Sequence, residues 1–96
     1  LKDNENAVKY YENAIDLEPT DYMAHMQCGI VYHLMEKFDD AIQKYKDALG
    51  IFPNYAEVYS KLGSAYAAKG MRKEAVSAYK EALRIKLVNM SAKENE

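Results

Sequence analysis

The same residues return at a spacing of 34. Gly29, Tyr32, Ala41, Tyr45, Ala48 and Pro53 mark one unit. One period later stand Gly63, Tyr66, Ala75, Tyr79, Ala82 and Leu87, so only the last position differs. One period earlier stand Ala7, Tyr11, Ala14 and Pro19, each identical to its counterpart. A period of this size narrows the fold sharply. Each unit is one helical hairpin that cannot bury its apolar face alone, and stacking units build a continuous core.

The spacing within each unit is helical. Ala7, Val8, Tyr11, Ala14 and Ile15 fall on one face of a first helix reaching about Leu17, with Asp3 or Asn4 as its cap. Pro19 cannot continue that helix. Thr20 or Asp21 caps a second helix, about Tyr22 to Met35. The third runs from about Phe38 to Ile51, with Asp39 and Asp40 at its positive end. Gly50 in its last turn predicts early fraying. After Pro53 and Asn54 a fourth helix spans about Ala56 to Lys69, and Gly70 is the expected left-handed stop. A fifth begins near Arg72. With connections this short, the helices pack as antiparallel neighbours. The tyrosines follow helical rather than alternating spacing, and no Asn-Gly or Asp-Gly pair marks a β-hairpin. The predicted class is all-α: a solenoid of five antiparallel helices.

Composition removes several functions. The net charge of −2 comes without a basic block, so the chain lacks the electrostatic footprint of nucleic-acid binding. No apolar run approaches the roughly 20 residues that span a bilayer, so no membrane insertion is expected. Cys28 is the only cysteine, which excludes an internal disulfide and fits a reducing, cytoplasmic setting. The chain starts at Leu1 rather than methionine and reads as part of something longer. His25, Cys28 and His33 do not make a metal site, because 33 is displaced from the face shared by 25 and 28 and no fourth ligand is evident. No cofactor is expected. There is no serine–histidine–acid set, phosphate-binding glycine loop or buried carboxylate pair, so no catalysis is expected. Glu12, Asp16, Asp39, Asp40, Glu74 and Glu81 read as a solvated outer face.

The pattern resembles the tetratricopeptide repeat family. Tyr59, Leu62, Gly63 and Tyr66, followed by Ala75 and Tyr79, carry the resemblance in one unit. His25, Cys28, Gly29 and Tyr32, then Ala41, Tyr45, Ala48 and Pro53, carry it in the unit before. The glycines and alanines allow close helix approach, and the tyrosines fill the wedge between hairpins. There are three departures. His25 and Cys28 stand where the family has a large aromatic and a leucine. Glu36 replaces the helix-ending glycine that Gly70 supplies one unit later. Leu87 replaces the closing proline, so the fifth helix is expected to run on through Val88 to Met90, with residues 91–96 a frayed polar tail. The resulting organisation is the second helix of a truncated repeat at 1–19, complete repeats at 20–53 and 54–87, and an extension with tail at 88–96.

The resemblance also implies a site. In this family the first helix of each hairpin lines a concave groove that holds a peptide or a helix of a partner protein. Those positions are Met23, Met26, Gln27, Ile30, His33 and Leu34 in one repeat. In the next they are Glu57, Ser60, Lys61 and Ser64, with Ala67 and Ala68 beyond. The first set is apolar and methionine-rich, suited to adaptable apolar contact. The second is small and polar, suited to close approach of a backbone. The family's carboxylate clamp needs lysine, asparagine and arginine. Met26 and Ile30 stand at its lysine and asparagine positions, Glu57 at another lysine, and only Lys61 falls near the arginine. The expected function is a non-catalytic protein–protein interaction module. The alternatives are a homo-oligomer built through apolar ends or groove, including Leu83, Leu87 and Met90, and the scaffold arm of a larger enzyme or co-chaperone.

Overall fold

The computed structural model describes residues 2–94. Five helices follow in order: α1 (Lys2–Leu17), α2 (Tyr22–Leu34), α3 (Phe38–Ile51), α4 (Ala56–Ala68) and α5 (Arg72–Glu94). No strand occurs among the described residues. Each helix packs on the next in sequence, and α2 also meets α4. That added contact places α2 and α4 side by side, with α3 behind them.

Local chemistry explains most boundaries. Asp21 caps α2, its carboxylate accepting from the N–H groups of Met23 at 3.1 Å and Ala24 at 3.2 Å. Asp3 and Asn4 do not cap α1, because the helix already includes them, and Asp3 and Glu5 instead face its positive end from the first turn. The fraying expected at Gly50 does not occur. The helix continues to Ile51, and the Phe52 N–H closes on the Ala48 carbonyl at 2.9 Å. Burial of Tyr45 and Ala48 outweighs the weak propensity of one glycine. At the other end α5 reaches Glu94, so 91–94 are helical where the sequence predicts a tail. Ala92, Lys93 and Glu94 are good helix formers and nothing in the segment breaks the helix. Residues 95 and 96 lie outside the described residues.

Two turns repeat the same construction. The Lys37 N–H bonds the Tyr32 carbonyl at 2.9 Å, and one period later the Met71 N–H bonds the Tyr66 carbonyl at 2.9 Å. This closure needs a left-handed residue. Gly70 supplies it at φ 77°, while Glu36 is forced to φ 60°. The side chain at 36 therefore carries about 1 kcal/mol of backbone strain that glycine avoids.

Glycine has a different role inside the hairpins. A Cβ on Gly29 would lie 2.5 Å from the Tyr45 ring, and one on Gly63 would lie 2.9 Å from the Tyr79 ring. Both rings lie directly on the opposing helix backbone. Their freedom differs, since Tyr45 is 1% exposed and Tyr79 is 45% exposed. Helix α4 closes over the first ring, whereas the second faces open space. Gly29→Ala is expected to destabilise the fold by about 2 kcal/mol through overpacking. Gly63→Ala is expected to cost far less, because Tyr79 can swing outward and alanine gains up to ~1 kcal/mol of helix propensity. Urea unfolding of the two variants side by side checks the difference.

A polar tie joins α1 to the first complete hairpin. The Tyr32 hydroxyl donates to Glu12 at 3.0 Å, and Lys44 Nζ contacts the other carboxylate oxygen at 2.6 Å. Glu12 is thus half-buried between α1, α2 and α3 rather than part of a solvated face. Asp39 and Glu81 pair with Lys69 and Arg84, and Asp39 stays on the solvated face. Burial alone would raise the Glu12 pKa, but the Lys44 and Tyr32 hydrogen bonds outweigh it and hold the carboxyl below its ordinary 4.5. Burial and the Glu12 carboxylate together push Tyr32 up to about 12. A lowered carboxyl pKa gives stability that is complete above 4.5 and lost as pH falls through the folded value. Glu12→Gln is expected to cost about 1 kcal/mol at neutral pH, a charged hydrogen bond discounted for partial exposure. It should also flatten the acid decline below pH 4.5, as read by thermal melts across pH.

Candidate partner-binding groove

Helix α2 presents Met23, Ile30 and Leu34 along one stripe, since 7 and 11 residues return almost to the same helical angle. Met23 and Leu34 are exposed and Ile30 is half-buried. Across from them α4 presents Lys61 and Ser64. Between the two helices lies a hollow of about 180 Å³ lined by Ile30, His33, Leu34, Tyr45, Lys61 and Ser64. Five of these six are among the residues that the family resemblance implies for a groove. The sixth, Tyr45 of α3, reaches the hollow from behind. Its 23-residue offset from Tyr22, at the start of the same unit, says nothing of that direction; only the packed wedge does.

The remaining expected groove residues scatter. Met26 is 3% exposed and belongs to the core with Ala41, Tyr45 and Val58. It lies about 60° around the helix from Met23, enough to turn it into the α3–α4 interface. Gln27 and Ser60 are half-buried and Glu57 is exposed, but none lines the hollow. Glu57 instead meets Lys61 at 3.8 Å, one turn apart on α4.

Near the start of α2 the surface is aromatic. Tyr22 meets Phe52 edge-on at 5.1 Å and Tyr55 at 5.5 Å, and Phe52 stacks on Tyr55 at 5.2 Å. The Tyr55 hydroxyl also donates to Met23 Sδ at 3.1 Å. Tyr22 and Tyr55 fall off the core periodicity, yet they join the beginnings of α2 and α4 and hold the groove walls together. At the other end His33 packs edge-on against Phe38 at 5.1 Å.

His25 and Cys28 lie in the interior. His25 Nε2 contacts the Pro19 carbonyl at 2.9 Å, which fits Nε2–H as donor and anchors the α1–α2 turn. Its Nδ1 has no hydrogen-bond partner, with Asp47 Oδ2 at 4.0 Å. Burial pushes the Cys28 thiol up to about 11, leaving it a packing residue at neutral pH. Among the described residues no group of three or more His, Cys, Asp or Glu side chains is placed to hold a metal ion. No helix among them is long and apolar enough to cross a membrane. A wider hollow of about 380 Å³ lies between α4 and α5, with Tyr59, Tyr66, Glu74 and Glu81 among its walls. Arg84 already holds Glu81 there, Nε at 2.9 Å.

Three family models match along the chain: a tetratricopeptide repeat at residues 1–21, a TPR repeat at 31–70 and a tetratricopeptide repeat at 56–86. Two crystal structures of MamA are similar to it. One is 31% identical, with a TM-score of 0.90 over 93% of this chain and 52% of that one. The other is 32% identical, with a TM-score of 0.86 over 92% of this chain and 48% of that one. This chain thus spans about half the length of those proteins. No curated protein sequence matches it. Repeat spacing, hairpin geometry and these matches agree, and the chain belongs to the tetratricopeptide repeat family of helical interaction modules.

Proposed function

We propose that the groove between α2 and α4 holds a peptide or helix of a partner protein, and that the module acts by binding and not by catalysis. The supporting observation is the apolar stripe of Met23, Ile30 and Leu34 beside the hollow. A leucine 65% exposed on a rigid helix, next to a partly apolar depression, is surface that a partner can cover. Small Ser60 and Ser64 on the facing helix leave room for a backbone and offer it hydroxyls. Peptides selected from a random library on the immobilised chain are expected to weaken at least about tenfold against Ile30→Lys, a loss of ~1.4 kcal/mol. Far-ultraviolet circular dichroism should be unchanged, since Ile30 is only half-buried. Binders indifferent to Ile30→Lys and to Ser64→Arg would remove this groove from consideration. Lysine at Met26 is unsuitable for this purpose, because it would place a charge in the core.

A second reading is self-association through α5. Val76, Tyr79, Leu83, Leu87 and Met90 are all exposed along that helix. Its charge also favours a particular mate: α5 carries six basic and three acidic residues, and α1 carries two basic and four acidic. The two helices sit at opposite ends of the stack, so pairing α5 of one copy with α1 of another is heterologous and propagates. Sedimentation equilibrium should then show concentration-dependent assembly that Leu83→Glu and added salt both weaken. A chain that stays monomeric at high micromolar concentration rules this reading out.

A further inference from the structure

We infer that the groove selects a linear segment with one large apolar residue beside one acidic residue. This rests on the groove reading above and names the chemistry of its occupant. Volume sets the first element. A hollow of about 180 Å³ matches one branched or aromatic side chain, for an apolar cavity of roughly 150 Å³ already accepts benzene. Ile30 and Leu34 give it an aliphatic wall, and the Tyr45 ring, held against Gly29, gives it a rigid inner side. One anchor residue fits there.

Charge sets the second element. Lys61 is the one lysine or arginine among the lining residues, and no carboxylate joins it. Ser64 and His33 add further groups able to donate a hydrogen bond. An acidic side chain next to the anchor thus meets a cation and donors rather than a like charge. Lys61 is available to it. Its contact with Glu57 is 3.8 Å long and open to solvent, the kind of surface pair that holds little energy. Glu57 also limits the acid to one. A run of carboxylates extending toward the start of α4 would meet that glutamate and be repelled.

The test uses the whole chain and a phage-displayed random dodecapeptide library, with enriched peptides remade carrying fluorescein and titrated by anisotropy. The enriched set should share a Leu, Ile, Met or Phe with an Asp or Glu within two positions. Lys61→Glu should weaken those peptides about tenfold, and replacing the peptide's acid with lysine should restore binding to that variant. Peptides that depend on Ile30 but show no acidic preference and ignore Lys61→Glu overturn the inference while leaving the groove in place. If no selected peptide depends on Ile30, the groove reading falls and this inference with it.

Discussion

The close approach of helix backbones at Gly29 and Gly63 is the constraint from which the rest follows. A tyrosine ring lies where a Cβ would otherwise be. Each hairpin closes on that contact, and its back surface then becomes the seat for the next hairpin. Tyr45 shows the result, pinned by Gly29 on one side and covered by α4 on the other. Without the glycine the ring moves outward, α4 loses its seat, and the spacing between α2 and α4 changes. The groove is therefore a consequence of core packing, and its inner wall is the same tyrosine that closes the hairpin.

Tyr79 marks the limit of that logic. It repeats the contact with Gly63 but lies on the outer face of α5 among the described residues, and so it is half open to solvent. The same face continues through Leu83, Leu87 and Met90 along a helix longer than the repeat requires. Solenoid stability is shared between units and their interfaces, so an uncovered face leaves stability ungained. The Glu12 tie shows what a covered interface adds: two hydrogen bonds from different helices to one carboxylate, on top of apolar contact. One period later Lys46 stands in place of Glu12 and lies 6.0 Å from the Tyr66 ring centroid, and Ala78 stands in place of Lys44. The tie is not repeated, and a hollow lies beside Tyr66 and Ala78.

Much of this architecture was legible in the residues. The period of 34 and the positions of glycine, alanine, tyrosine and proline specify helix count, order and antiparallel pairing, because a helix registers its apolar face at fixed intervals. Asp21 and Gly70 were readable as cap and stop for similarly local reasons. So was the nearness of Ile30, His33, Leu34, Lys61 and Ser64, since all five lie on the first helices of adjacent repeats, with Ser64 one period after Ile30 and Lys61 one period after Gln27.

Tertiary structure decided what depends on angles finer than a repeat position. Met26 shares the groove half of α2 by count, yet a turn of about 60° from Met23 buries it, and only the seated α4 reveals that. Glu12 and Lys44 are 32 residues apart and look like ordinary surface charges until three helices converge on them. Tyr22, Phe52 and Tyr55 lie off the core periodicity and meet only because two loops fold to the same end. Periodicity along one helix reports which face points inward. Only the packed neighbours report how far inward it points and what it touches there.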